Sequence, residues 1–236
     1  MDLSVCDHYD AARICKQPTF QRMLASLPRG CELVVLVNRI GDDVREPELM
    51  AEDDINDVHV MLYDTVVSSL NLGALRNACA QRATRSWCMW MDADDEIVSG
   101  DVGELVASAP PSVGAYYAQC TGMQAIDGGN VTYYTAPQVR LWRRTCGDVW
   151  IGHTHEMIDV RKIASLGYLT AHADVIIHHH GYVCSRERHV ERLARNVRGV
   201  MRTLLELWDS DAELRAHYLR VLADNLHMYH HYHGGN

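Results

Sequence analysis

An α/β fold is predicted, with a mostly parallel central sheet flanked by helices and followed by C-terminal helices. Three observations carry that prediction. Short apolar runs alternate with helical patterns through the first hundred residues in the order strand, helix, strand, strand, helix, strand. Some of those runs are apolar at nearly every position, as strands covered on both faces must be. The chain has 236 residues, 47 % of them hydrophobic and 22 % charged, so one large core can form without staples.

Taken in order, Leu3–Cys6 is a short strand that ends on Asp7, His8, Tyr9 and Asp10. Residues 17–27 have helical spacing, with Pro18 in the first turn and Pro28–Gly30 as the stop. Cys31–Val37 is a continuous apolar strand, residues 38–54 form a polar acidic loop, and Val58–Tyr63 is a third strand. Leu72–Thr84 reads as a helix capped by Asn71 or Ser69. Trp87–Met91 is a fourth strand that runs into Asp92-Ala93-Asp94-Asp95-Glu96. From Ala115 the pattern changes to shorter strands at 115–119, 131–135, 139–143 and 175–178, and then to helices at 185–208 and 212–229. No repeat or linker divides the chain. It reads as one domain over 1–236, in three parts: 1–110, 111–184 and the C-terminal helices 185–236.

Composition narrows the function. The net charge of −9 opposes a whole-surface nucleic-acid or anionic-membrane binder. No apolar run approaches the roughly 20 residues of a membrane span, and the N-terminus lacks the basic-then-apolar order of a signal peptide. The eight cysteines are scattered without a CxxC pair, which points to reduced thiols and a cytoplasmic protein rather than to a disulfide scaffold or a cysteine-held zinc.

Four carboxylates within Asp92–Glu96 repel one another unless a cation or hydrogen-bond donors hold them. At the end of a strand, Asp92 and Asp94 can reach one hard divalent ion. Oxygen ligands suit Mn²⁺ or Mg²⁺, which commonly share their shell with substrate phosphates. Open α/β sheets bind ligands beyond the carboxyl ends of their strands, where this cluster falls.

The stretch Asn71-Leu-Gly73-Ala-Leu-Arg76-Asn77 followed by Trp87–Glu96 resembles the "N.G...ARN … W..W.DADE" region of family 2 glycosyltransferases. Val139–Arg144 followed by Trp150-Ile-Gly152-His153-Thr-His155-Glu156 resembles their "RLFR … W.G..HE" segment. His178–Tyr182 with the arginine-rich helix after it resembles their "H.GY … R" ending. The order holds from about Leu3 to Arg202. The resemblance implies a GT-A-like, Rossmann-like fold and a DXD motif, and a metal-dependent hexosyl transfer with inversion from a nucleotide-sugar, a UDP-sugar first of all. It also implies roles: Asp92 and Asp94 at the metal with His180 as a third ligand; Asp7, Arg76, Asp92, Arg140 and His155 at the donor; Glu156 as the general base, with Asp159 the fallback. At the start the chain departs from the family, carrying Asp7–Asp10 and Asn38–Asp43 in place of its usual motifs.

The same chemistry follows from the residues. A leaving nucleoside diphosphate gains negative charge that a metal can offset, and inverting attack needs one carboxylate to take the acceptor's proton. The 14 histidines admit another enzyme, a zinc metallohydrolase using His153, His155, His178 and His180 with Glu156. A catalytically degenerate sugar-nucleotide-binding module is a third reading. Strand alternation sends His178 and His180 to one face and His179 to the other, and the same-face pair is the better site candidate. His227, His230 and His231 read as a surface helix end. Ser185–Arg202 carries six arginines and two glutamates, a local +4 that keeps an anionic partner open. The acceptor stays open among a sugar, a protein, a small molecule and modified DNA.

Overall fold

The computed structural model describes residues 1–10, 18–39, 57–64, 71–126, 132–209 and 211–234. The first strands are β1 (Leu3–Asp10), β2 (Glu32–Arg39), β3 (Asp57–Asp64) and β4 (Trp87–Trp90), with helices α1 (Pro18–Ser26) and α2 (Leu72–Arg82) between them. They pair in parallel in the order β3-β2-β1-β4, which is the predicted parallel half. Why these runs are apolar throughout is visible in the packing. On β2, Leu33 and Val35 enter one core with Phe20 and Met23 of α1, while Val34 and Leu36 enter the other with Leu75 and Cys79 of α2. On β4, Trp87 and Met89 face the first core, Cys88 and Trp90 the second. β2 and β4 are covered on both sides, so their faces are apolar, and the buried Glu32 at the start of β2 is held by the Thr84 amide and hydroxyl.

The remainder continues the same sheet: β5 (Asp95–Ser99), α3 (Val102–Ala107), β6 (Val113–Ile126), β7 (Thr132–Arg143), β10 (Leu169–Cys184), then α5 (Arg186–Glu206) and α6 (Ala212–Gly234). A two-stranded ribbon, β8 (Trp150–Ile151) with β9 (Met157–Ile158), and the short α4 (Val160–Ser165) lie between β7 and β10. The full order is β3-β2-β1-β4-β7-β6-β10-β5. β7 runs antiparallel to β4 and β6, β10 parallel to β6, and β5 antiparallel to β10. The sheet is therefore mixed, with parallel pairs in the majority.

Two expectations are corrected. The strands after Ala115 are not short. β6 has 14 residues, β10 has 16, and β7 joins two predicted strands into one of 12. Pro137, which falls between the two predicted strands, is accommodated within β7, opposite Gln119. The fourth strand, in turn, ends at Trp90 rather than Met91, and Asp95 and Glu96 of the acidic run open β5. Asn71, rather than Ser69, caps α2 by accepting from the Ala74 amide at 2.9 Å. Among the described residues, no helix is long and apolar enough to cross a membrane.

Candidate active site

At the carboxyl end of β4 the chain turns back into β5. The Asp95 amide donates to Asp92 O and the Asp92 amide to Asp95 Oδ2, both at 2.8 Å. This turn points Asp95 inward, where it is fully buried, and leaves Asp92 facing a cleft of about 470 Å³. A buried carboxylate needs partners, and Asp95 has three. Arg140 of β7 donates at 3.0 Å, His179 Nδ1 lies 2.8 Å from Oδ1, and the Asp92 amide completes the set. His179 faces Asp95 because the two are directly opposite in the antiparallel β10–β5 pair. Burial opposes protonation of His179, but Asp95, Asp94 and Asp92 outweigh it and raise its pKa above the ordinary imidazole value.

Asp92 is held by two guanidiniums and an indole. Trp90 Nε1 donates at 2.8 Å, Arg76 Nη2 at 3.3 Å, and Arg140 Nη1 lies 3.7 Å away. Burial works against its charge, yet Arg76, Arg140 and His179 keep the carboxyl well below the usual carboxylate range. Asp94 goes the other way. Desolvation, with Asp92 and Asp95 nearby, raises it, although His179 lies 3.4 Å from its Oδ1.

Arg76 connects the two sides of the cleft. It sits on the inner face of α2, its guanidinium 4.1 Å from the Trp90 ring and 4.6 Å from the Trp150 ring. The same Nη2 that reaches Asp92 ion-pairs with Glu156 Oε1. Glu156 stands at the end of a loop gripped from both directions. The Leu72 and Gly73 amides of α2 donate to His153 O and Gly152 O, each at 3.0 Å. From the other direction, Thr203 Oγ1 of α5 accepts from the His153 amide at 2.8 Å, and the buried Tyr218 hydroxyl of α6 donates to Ile151 O and His155 O. Gly152 and His155 both take positive φ, 96° and 51°, which this double grip sustains.

The structure brings Asp92, Arg76, Arg140, His155 and Glu156 to one cleft. It does not bring His180 there. His178 and His180 do share a face, their rings 4.5 Å apart, but that face carries His180 Nε2 to Glu96 at 2.9 Å and His178 Nδ1 to Thr121 at 3.1 Å. The imidazole beside the acids is His179, which alternation had put on the opposite face. Asp92, Asp95 and His179 each offer a ligand atom within 4.8 Å of the others, and this is the candidate cation group among the described residues. Two carboxylates and one imidazole form a mixed oxygen and nitrogen set that fits a divalent ion.

The other candidates lie elsewhere. The Asp7 side chain is outside the described residues. Asp159 caps α4, accepting from the Arg161 and Lys162 amides. His153 pairs with Glu206 at 2.6 Å, so the histidines of the zinc reading point to separate partners. None of the α5 arginines lines the cleft, while His227, His230 and His231 are exposed on α6. Sequence reasoning missed Tyr117, Tyr134 and His217, which do line it and belong to no motif.

A parallel half-sheet continued by antiparallel strands, with acids at the carboxyl end of its inner strand, defines the GT-A fold of glycosyltransferases. GalNAc-T7, crystallised with UDP, GalNAc and Mn²⁺, superposes with a TM-score of 0.50 at 12 % identity, over 88 % of this chain and 48 % of that one. This chain thus spans about half of GalNAc-T7. Residues 1–349 of TarS from S. aureus are similar at a TM-score of 0.43 and 16 % identity, over 96 % of this chain and 71 % of that one. The mannosyltransferase PcManGT from Pyrobaculum calidifontis, in complex with GDP-Man and Mn²⁺, has a TM-score of 0.43 at 14 % identity, over 99 % and 82 %. No protein-family profile and no curated protein sequence matches the chain.

Proposed function

We propose that this chain is a metal-dependent, inverting glycosyltransferase of hexosyl type that moves a sugar from a nucleotide-diphosphate sugar, a UDP-sugar first of all, to an acceptor hydroxyl. One observation carries the reading. Arg76 ties Asp92, a member of the candidate cation group, to Glu156, the carboxylate on the facing loop of the same cleft.

In the reaction, the acceptor oxygen attacks the anomeric carbon, and the bond from that carbon to the diphosphate oxygen breaks with its electron pair leaving on the diphosphate. The acceptor's proton passes to Glu156. Arg76 orients Glu156 and adds positive charge at the leaving-group end, as Arg140 does through Asp92 and Asp95. Asp92, Asp95 and His179, with Asp94 beside them, would hold Mn²⁺ or Mg²⁺, which when bound offsets charge on the diphosphate. Trp150 Nε1 and Arg140 Nε are buried without an acceptor among the described residues, so this end of the cleft is rich in donors suited to an anion.

The test is a product assay with nucleotide sugars and Mn²⁺ on the parent chain and on Glu156→Gln. Donor turnover by the parent is expected. Glu156→Gln is expected to lose transfer by at least about a hundredfold while nucleoside diphosphate still raises its melting temperature. Full transfer by Glu156→Gln, or no turnover of any nucleotide sugar by the parent, overturns the assignment.

A further inference from the structure

We infer that the acceptor is an uncharged molecule that presents the flat apolar face of a sugar or aromatic ring, seated on the aromatic wall of the cleft away from Asp92. The inference rests on the glycosyltransferase reading and names its second substrate. The charged side chains lining the cleft are Arg76, Arg140, Asp92 and Glu156, together with the titratable His179, and they are engaged with one another or with Asp95. Beyond them the walls are Tyr117, Tyr134 and Pro137 from β6 and β7, and Met157, Val160 and Val221 from β9, α4 and α6. Among the described residues no lysine and no further arginine or acid lines this part of the cleft, so a charged acceptor would be desolvated against these walls without a counter-ion from them. Gln138 and His217 supply hydrogen bonds for hydroxyl groups. His217 suits a neutral ligand, since burial, with Arg220 and His155 nearby, holds its imidazole below the ordinary value.

The two tyrosines are braced as a platform. The Tyr117 ring stacks on His172 with centroids 5.1 Å apart and planes at 21°. Tyr134 is directly opposite Gly122, and its ring atoms lie 2.5–2.6 Å from where a Gly122 Cβ would be, so the ring rests on bare backbone. Rings already fixed in place lose little freedom when a ligand stacks on them. The α5 arginines, the feature that kept a nucleic-acid acceptor open, do not reach this wall and cannot supply the missing positive charge.

The experiment uses the full chain with Mn²⁺ and the nucleotide sugar that it turns over fastest. Three acceptor probes are compared: p-nitrophenyl β-glucoside, p-nitrophenyl β-glucuronide (which differs from it by one carboxylate) and a single-stranded oligonucleotide. The glucoside is expected to exceed the other two in kcat/KM by about tenfold or more. Tyr134→Ala and Tyr117→Ala are each expected to raise the KM for the glucoside by about tenfold, and Gly122→Ala, which displaces the Tyr134 ring without removing it, by less. Leu205→Ser, on the exposed face of α5, is the control expected to leave that KM in place. Preference for the glucuronide or the oligonucleotide, no stimulation by the glucoside, or an unchanged KM in both tyrosine variants overturns the inference. A chain that turns over no nucleotide sugar overturns instead the reading beneath it.

Discussion

Replacing Gly152 by alanine puts a methyl group where the Tyr218 hydroxyl already is. An added Cβ would lie 2.1 Å from Tyr218 Oη and 3.0 Å from Cζ, on a backbone with φ of 96° that side chains rarely adopt. The backbone term is about 1–3 kcal/mol. Tyr218 is fully buried in the α5–α6 core with Val200, Leu204 and Leu214, so displacing it adds roughly 1–3 kcal/mol of overpacking. Its hydroxyl also loses long hydrogen bonds to Ile151 O at 3.4 Å and His155 O at 3.3 Å, about 0.5 kcal/mol each. The expected loss is about 3–7 kcal/mol, a melting-point drop of roughly 6–28 °C for a chain of this size. Urea titration of Gly152→Ala, Tyr218→Phe and the double variant measures it. Tyr218→Phe removes the nearest atom but leaves the ring, so the double variant should be about 1–2 kcal/mol more stable than additivity gives. A Gly152→Ala chain within about 1 kcal/mol of the parent, or strict additivity, refutes the claim that α6 locks the Glu156 loop through this contact.

Three further outcomes follow from the site and the core. Arg76→Met keeps the packing between Trp90 and Trp150 but leaves Asp92 and Glu156 without their shared cation, and should lower stability by about 3–5 kcal/mol and transfer at least a hundredfold; Arg76→Lys should recover part of both, as checked by urea midpoints and product assay. His179→Ala should abolish Mn²⁺-dependent stabilisation by nucleoside diphosphate, whereas His180→Ala, whose ring faces Glu96, should retain most of it; thermal shift with and without EDTA decides between them. Stability should fall as the solution becomes alkaline. Burial pushes the Cys31 thiol up from 9.0 to about 11, and hydrogen bonds with Cys79 and Cys88, with burial, raise Cys6. The unfolded chain releases these protons above about pH 9 while the folded one keeps them, so Cys31 alone contributes a loss of up to about 3 kcal/mol by pH 11. A urea midpoint that holds or rises between about pH 8 and pH 10.5 contradicts this.

Much of this was legible in the residues because it follows from local pattern. The unbroken apolar runs of β2 and β4 required cover on both faces, and the two cores found there are that cover. The acids of Asp92–Glu96 read as following a strand, and Asn71 was one of two candidate caps for α2, the one that the structure uses. The alternation of His178, His179 and His180 was also readable, but which of its faces met the acids was not, because that depends on β5 pairing with β10. No sequence signal announces that pairing, since β5 begins inside a carboxylate cluster that reads as loop.

By itself, then, the sequence determined the parallel half-sheet and its covering helices, because period and spacing encode those directly, while Asp92, Arg76 and Glu156 were singled out through the motifs of the family that the chain resembles. Only the tertiary structure decided that His179 and Asp95 stand beside Asp92, that Arg76 joins Asp92 to Glu156, and that α5 and α6 hold the Glu156 loop with its two positive-φ residues. It also assembled the wall of Tyr117 and Tyr134 by setting the register of β6 against β7. The physical reason is that contacts between distant segments arise from register and packing, which a one-dimensional pattern constrains only through the faces that it must bury.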